Sequence, residues 1–171
     1  RGGQAYVHSE VGYNYRMTDI QAAVGREQLK RLPQIIEQRR ELADRYQELL
    51  GTIHGLVLPH EPEYARSNWQ SYIVRLPQHL DQMTVMQQLL DVGISTRRAI
   101  MNSHREPAYE IEEWQCAGKR PACGCPARSC RELAHSEFIQ ENAIAIPLYV
   151  PMSEDEQNRV VDALRKVVVT A

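Results

Sequence analysis

The chain has 171 residues, a formal charge of −2, 43% hydrophobic and 25% charged residues, and four cysteines. That is long enough for one domain with a real core, and it argues against disorder. The near-zero charge removes the simplest case for a nucleic-acid or anionic-membrane partner. No run of about 18 apolar residues exists, so no membrane-spanning helix is expected. Among 20 basic residues only Lys30, Lys119 and Lys166 are lysines, so any chemistry that needs an amine has three candidates.

The chain opens on Arg1-Gly2-Gly3-Gln4, with neither an initiating Met nor an export signal. It reads as a piece of something longer, and a reducing cytoplasm is the expected compartment. Next comes Gly12-Tyr13-Asn14-Tyr15-Arg16-Met17, directly before a helix start. Backbone amides at such a junction, with an Asn amide and an Arg guanidinium, can hold phosphate or carboxylate. A turn with a structural ion pair satisfies the same residues. Thr18-Asp19-Ile20-Gln21 has the capping-box pattern, with Asp19 where the helix dipole favours an acid. Ile20, Val24, Leu29 and Leu32 supply an apolar face; Pro33 should kink or restart the helix. Ile35, Ile36, Leu42, Ala43, Tyr46, Leu49 and Leu50 continue the helical spacing to Gly51, giving one long helix over about 18–50.

Leu56–Leu58 and Tyr72–Leu76 read as strands, each closed by a proline. Asp81–Val92 reads as a helix carrying Met83, Met86, Leu89 and Leu90 and ending at Gly93; Ile94–Arg97 follows as a strand. Leu133–Asn142 is a short helix and Ala143–Ile146 a strand. Ser153–Glu156 opens a last helix with a second capping box, its face being Val160, Val161, Leu164 and Val167. The fold class is α+β (α/β): a long N-terminal helix, then a small sheet with packed helices. The expected organisation is a single domain: a loop over 1–17, a long interdomain helix over 18–50, and a small α/β part over 51–171.

A Pro-, Cys- and Arg-rich insertion over 111–131 interrupts that part. Cys116, Cys123, Cys125 and Cys130, with His135 nearby, could ligate zinc. Paired Cys-x2-Cys knuckles are missing and Cys-x-Cys is poor geometry for two ligands from one loop, so ordinary thiols are the expectation and no metal is assigned. Arg120, Arg128 and Arg131 make the loop locally basic.

Gly12–Gly25, continuing through Gln28-Leu29, resembles the segment that follows the large catalytic domain in DegT/DnrJ/StrS-type sugar aminotransferases, fold-type-I enzymes dependent on pyridoxal phosphate. The resemblance continues with Arg39 and Tyr46, Gly93–Arg97, His104–Tyr109 and Ile146–Ser153, covering most of the chain except the insertion. It implies the fold of the C-terminal domain of these enzymes, working as homodimers in which an amino group passes from a donor, usually glutamate, to a nucleotide-linked keto sugar. It implies that Asn14 hydrogen-bonds the cofactor phosphate of the neighbouring subunit, with Tyr13 and Arg16 fixing the loop or the interface. His104 and Tyr109 match the region near the sugar-nucleotide pocket; Arg97 can pair with a diphosphate or a donor carboxylate, or make an ordinary surface ion pair. The Schiff-base lysine of the family lies upstream of the matching segment, and none of the three lysines occupies its position. The chain alone is therefore expected to be inactive. A dehydratase on the same scaffold and a non-catalytic binding or regulatory module are the alternatives.

Overall fold

A computed structural model of the chain describes residues 15–106 and 128–170. Tyr13, Asn14, Tyr109, Lys119, Arg120, Cys116, Cys123 and Cys125 lie outside them. The chain forms two compact units, residues 1–34 and 35–171, and the helix α1 (Asp19–Leu50) runs through the junction. Its capping box is in place: the Thr18 amide donates to Gln21 Oε1 at 2.9 Å, and the Gln21 amide donates to Thr18 Oγ1 at 3.3 Å. Pro33 does not restart the helix; one missing donor in a 32-residue ladder leaves the flanking turns bonded. In the first unit Ile20, Val24, Leu29 and Leu32 are all exposed, as are Tyr15 and Met17.

The second unit has the core. Its sheet is three-stranded and antiparallel, in the order β1 (Tyr72–Arg75), β3 (Ala143–Ile146), β2 (Arg97–Arg98). Tyr72 pairs with Ile146 and Val74 with Ile144 on one side of β3, while Arg97 pairs with Ala145 on the other. The central strand is Ala-Ile-Ala-Ile, buried throughout, as a strand covered on both faces must be. Tyr46 and Leu50 of α1, Val85 and Leu89 of α2 (Gln82–Asp91), and Val160, Val161, Leu164 and Val168 of α4 (Glu154–Thr170) join Tyr72, Val74, Ile144 and Ile146 in one apolar cluster. Each such side chain contributes about 1.5–3 kcal/mol by leaving water. Two polar pins tie α1 into it. The Tyr46 hydroxyl donates to the Pro147 carbonyl at 2.8 Å, and Gln157 Nε2 of α4 donates to the Leu42 carbonyl at 2.6 Å.

Three expectations are corrected. Leu56–Leu58 forms no strand, only a single bridge between Val57 and Arg75. The Ile94–Arg97 strand shrinks to Arg97–Arg98, because the amides of Gly93 and Ile94 are spent closing α2 on the carbonyls of Leu90 and Leu89. Gly93 has φ +80°, the left-handed cap that lets this happen. The buried face of α2 is Gln82, Val85 and Leu89; Met83 and Leu90 are exposed. The second capping box stands, with the Ser153 amide on Glu156 Oε2 at 2.8 Å and the Glu156 amide on Ser153 Oγ at 3.2 Å. Among the described residues no helix is long and apolar enough to cross a membrane.

Candidate functional site

The most unusual feature of the second unit is polar and buried. The helix α3 (Ala134–Asn142) carries only Phe138 and Ile139 as large apolar residues, adjacent rather than at helical spacing. Such a helix cannot dock by hydrophobic burial alone. It docks through Ser136, Glu137 and Gln140. Asn102 Nδ2 donates to Gln140 Oε1 at 2.7 Å and Ser136 Oγ donates to Asn102 Oδ1 at 2.5 Å. Gln82 Nε2, at the start of α2, donates to the carbonyls of Gln140 and Ala143 at 2.9 and 2.6 Å. His104 Nε2, on the 3₁₀ turn Ser103–Arg105, lies 2.7 Å from Glu137 Oε1.

Glu137 is the hub. Its Oε1 also accepts the Cys130 amide at 2.6 Å, and its Oε2 lies 3.4 Å from Ser129 Oγ and 3.6 Å from Arg105 Nη2. Burial pushes its pKa up, but the hydrogen bonds from His104 and Cys130 and the charge of Arg105 outweigh it, and the carboxyl ends below its ordinary value. Around this hub two stretches of backbone are latched. Arg105 Nε donates to the Arg128 carbonyl at 3.0 Å, and the Arg128 guanidinium donates to the Arg105 carbonyl. Arg105 Nη1 also meets Glu141 Oε1 at 2.7 Å.

In front of the latch lies an open cleft of about 750 Å³, lined by Asp81, Met83, Arg98, Arg105, Glu106, Arg128 and Glu141 among others. A cleft of that size suits an organic ligand. Arg98 Nη2 donates to the Met83 sulfur at 3.7 Å and has no carboxylate partner among the described residues. A smaller cavity of about 240 Å³ lies between Gln70, Ser71, Ser95, Thr96, Arg97 and the end of β3. Thr96 Oγ1 is buried there with no hydrogen-bond partner.

Of the residues singled out from sequence, Arg16, Arg97 and His104 are among the described ones. Arg97 is exposed on β2 and lines the smaller cavity. The His104 side chain is only 2% exposed, held on Glu137, and lines neither cavity. Arg16 is exposed just before the capped start of α1. Asn14, Tyr13 and Tyr109 lie outside the described residues. Sequence reading missed Glu137, Asn102, Gln140 and Gln82; the one available signal was a nine-residue helix too poor in apolar residues to be held by them.

Cys130 is buried with its amide on Glu137, and His135 is exposed on α3. Among the described residues no group of three or more His, Cys, Asp or Glu is placed to hold a metal. The described lysines do not fit a Schiff-base role either. Lys30 is exposed and paired with Glu27 at 2.6 Å, and Lys166 is exposed on α4; neither stands in a cavity. Exposed as they are, Lys30 and Lys166 offer no enclosed site for pyridoxal phosphate among the described residues.

Comparison with known proteins agrees with the architecture. The chain is 31% identical over 161 residues to a dTDP-4-dehydro-2,3,6-trideoxy-D-glucose 4-aminotransferase of Saccharopolyspora spinosa, covering 93% of this chain and 37% of that protein. It is 27% identical to the spore coat polysaccharide biosynthesis protein SpsC of Bacillus subtilis, covering 98% of this chain and 41% of that protein. Its fold matches Spr1654 of Streptococcus pneumoniae, solved in a PLP form, with a TM-score of 0.75 at 22% identity over 99% of this chain and 40% of that one. The chain thus spans about two fifths of the length of these relatives. The profile of the DegT/DnrJ/EryC1/StrS aminotransferase family matches residues 1–165, from the loop before α1 almost to the end of α4. The chain belongs to that family.

Proposed function

We propose that this chain is the C-terminal part of a pyridoxal-phosphate-dependent nucleotide-sugar aminotransferase that works as a homodimer in the cytoplasm. The amino group would pass from a donor such as glutamate to a nucleotide-linked keto sugar, with no nucleic-acid or membrane partner. The carrying observation is the family match over residues 1–165, which includes the Gly12–Gly25 motif. The share of the relatives that the chain spans supports its place as part of a longer enzyme. The exposed positions of Lys30 and Lys166 support a Schiff-base lysine upstream of the Gly12–Gly25 motif, with this chain inactive by itself.

In this reading Asn14 donates its amide to the cofactor phosphate of the neighbouring subunit, and Tyr13 and Arg16 fix the loop that presents it. The cofactor, when bound in the dimer, supplies the electron sink for transamination. Arg97, His104 and Tyr109 form part of the substrate wall, His104 from behind through its bond to Glu137.

The test uses the full-length protein, with cofactor absorbance and transamination read together. Asn14→Ala should weaken pyridoxal phosphate about tenfold or more, the worth of one hydrogen bond to a charged group. Full-length wild-type protein without cofactor absorbance, or cofactor affinity indifferent to Asn14, would overturn the reading.

A further inference from the structure

We propose that α3 and residues 102–105 form a polar-docked unit that opens from the domain as one body while the sheet and its apolar core stay folded. The large cleft thereby has one wall that detaches. Such opening goes beyond the aminotransferase reading and does not depend on it.

One apolar cluster joins the sheet to α1, α2 and α4, but α3 has no share in it. Phe138 and Ile139 are half-buried, and neither belongs to the cluster. The buried residues of α3 are Glu137 and Gln140, both polar. Residues 102–105 read Asn-Ser-His-Arg, with no apolar side chain to anchor them. These two polar pieces hold each other. Asn102 bridges Ser136 and Gln140, one turn apart on α3, and His104 meets Glu137 between them. Arg105 adds Glu137 at 3.6 Å and Glu141 at 2.7 Å. From the core side, Gln82 Nε2 grips the carbonyls of Gln140 and Ala143. The unit ends at Asn142, whose carbonyl accepts the Leu76 amide at 2.8 Å, beside the Arg75–Ala143 pair of the sheet.

The order of opening follows from what each kind of contact is worth. A hydrogen bond broken on opening is replaced by one to water, so its net contribution is small. Exposing the apolar cluster costs the transfer of every side chain in it. Segments with few buried apolar contacts therefore open below the global unfolding limit. Leaving together keeps the bonds between α3 and residues 102–105, whereas leaving apart breaks them, so the two move as one. Gln140 and Glu141 of α3 line the cleft of about 750 Å³, as do Arg105 and Gln82. That wall is complete only while the unit is docked.

The test is peptide-resolved hydrogen exchange of the full-length enzyme over a series of urea concentrations below its unfolding transition. In the wild type, amides of α3 and of residues 102–105 should exchange at least about tenfold faster than those of β3. Both should show one common urea dependence, less than about half that of β3, because their opening exposes little apolar area. Asn102→Ala removes the bridge and should speed both segments about tenfold, leaving β3 and α4 as in the wild type. Equal exchange and equal urea dependence in α3 and β3 would mean that α3 opens only with the whole domain, which overturns the proposal. Different urea dependences for α3 and residues 102–105 would overturn it too, as would an Asn102→Ala enzyme in which one segment alone, or neither, speeds up. If Asn102→Ala does not fold, the wild-type urea series decides by itself.

Discussion

Two tyrosines whose rings touch offer a controlled test of how this core is held. Tyr46 and Tyr72 are both fully buried, with ring centroids 5.1 Å apart. The Tyr46 hydroxyl donates to the Pro147 carbonyl at 2.8 Å; the Tyr72 hydroxyl is buried with no partner. Replacing each by Phe keeps the ring, its apolar burial and the aromatic contact, so those contributions cancel. What remains is the hydroxyl. Tyr46→Phe loses a buried hydrogen bond and strands a carbonyl, costing about 1–2 kcal/mol. Tyr72→Phe removes a group that was desolvated without compensation, so it should be neutral or stabilising by up to about 1 kcal/mol. For a chain of this size the two variants should melt roughly 2–8 °C apart. Urea unfolding at neutral pH, followed by Trp fluorescence, measures both, with equal m-values confirming a comparable unfolded state. If Tyr72→Phe destabilises as much as Tyr46→Phe, the assignment of the two hydroxyls is wrong.

Further outcomes are expected on the same scale. Glu61 accepts a two-pronged bond from Arg40, at 2.8 and 2.9 Å, and the Ser67 amide at 2.6 Å. Led by the Arg40 bond, these hold its pKa at about 2 against an ordinary 4.5. Its contribution is complete above the unfolded value and is lost as pH falls from 4.5 toward 2, because the unfolded chain takes the proton first. Arg40→Gln should flatten that acid limb of the stability curve, as urea midpoints at several pH values would register. At the alkaline end burial raises the pKa of Tyr46 and Tyr72 above the usual 10, so stability should fall above that pH as the unfolded chain ionises first. Gly93→Ala meets no atom closer than the Arg159 guanidinium at 4.0 Å, so it should cost only the left-handed backbone penalty, about 1–2 kcal/mol by thermal melting. A larger loss would mean that space, not conformation, limits the site.

Helix boundaries, both capping boxes and the apolar faces of α4 and the second half of α1 were legible from sequence, because each depends on neighbours three and four positions away. The family motif around Asn14 was legible for a different reason: it is a contiguous string. The Ile94–Arg97 strand was misjudged because its amides are claimed by the end of α2, a competition that local composition does not reveal. That Ile20, Val24 and Leu29 are exposed is a tertiary fact that their helical spacing does not reveal.

The sequence by itself determined the helices, the strands Tyr72–Arg75 and Ala143–Ile146, and the family, since periodicity, caps and motifs are local. Only the tertiary structure decided that His104 turns inward to Glu137, that α3 is docked by polar side chains, and that Arg105 and Arg128 latch at a cleft. The partners in that cluster stand 33 positions apart for His104 and Glu137, and 23 for Arg105 and Arg128. A buried carboxylate is stable only where several donors converge on it, and that convergence exists only once the chain has folded.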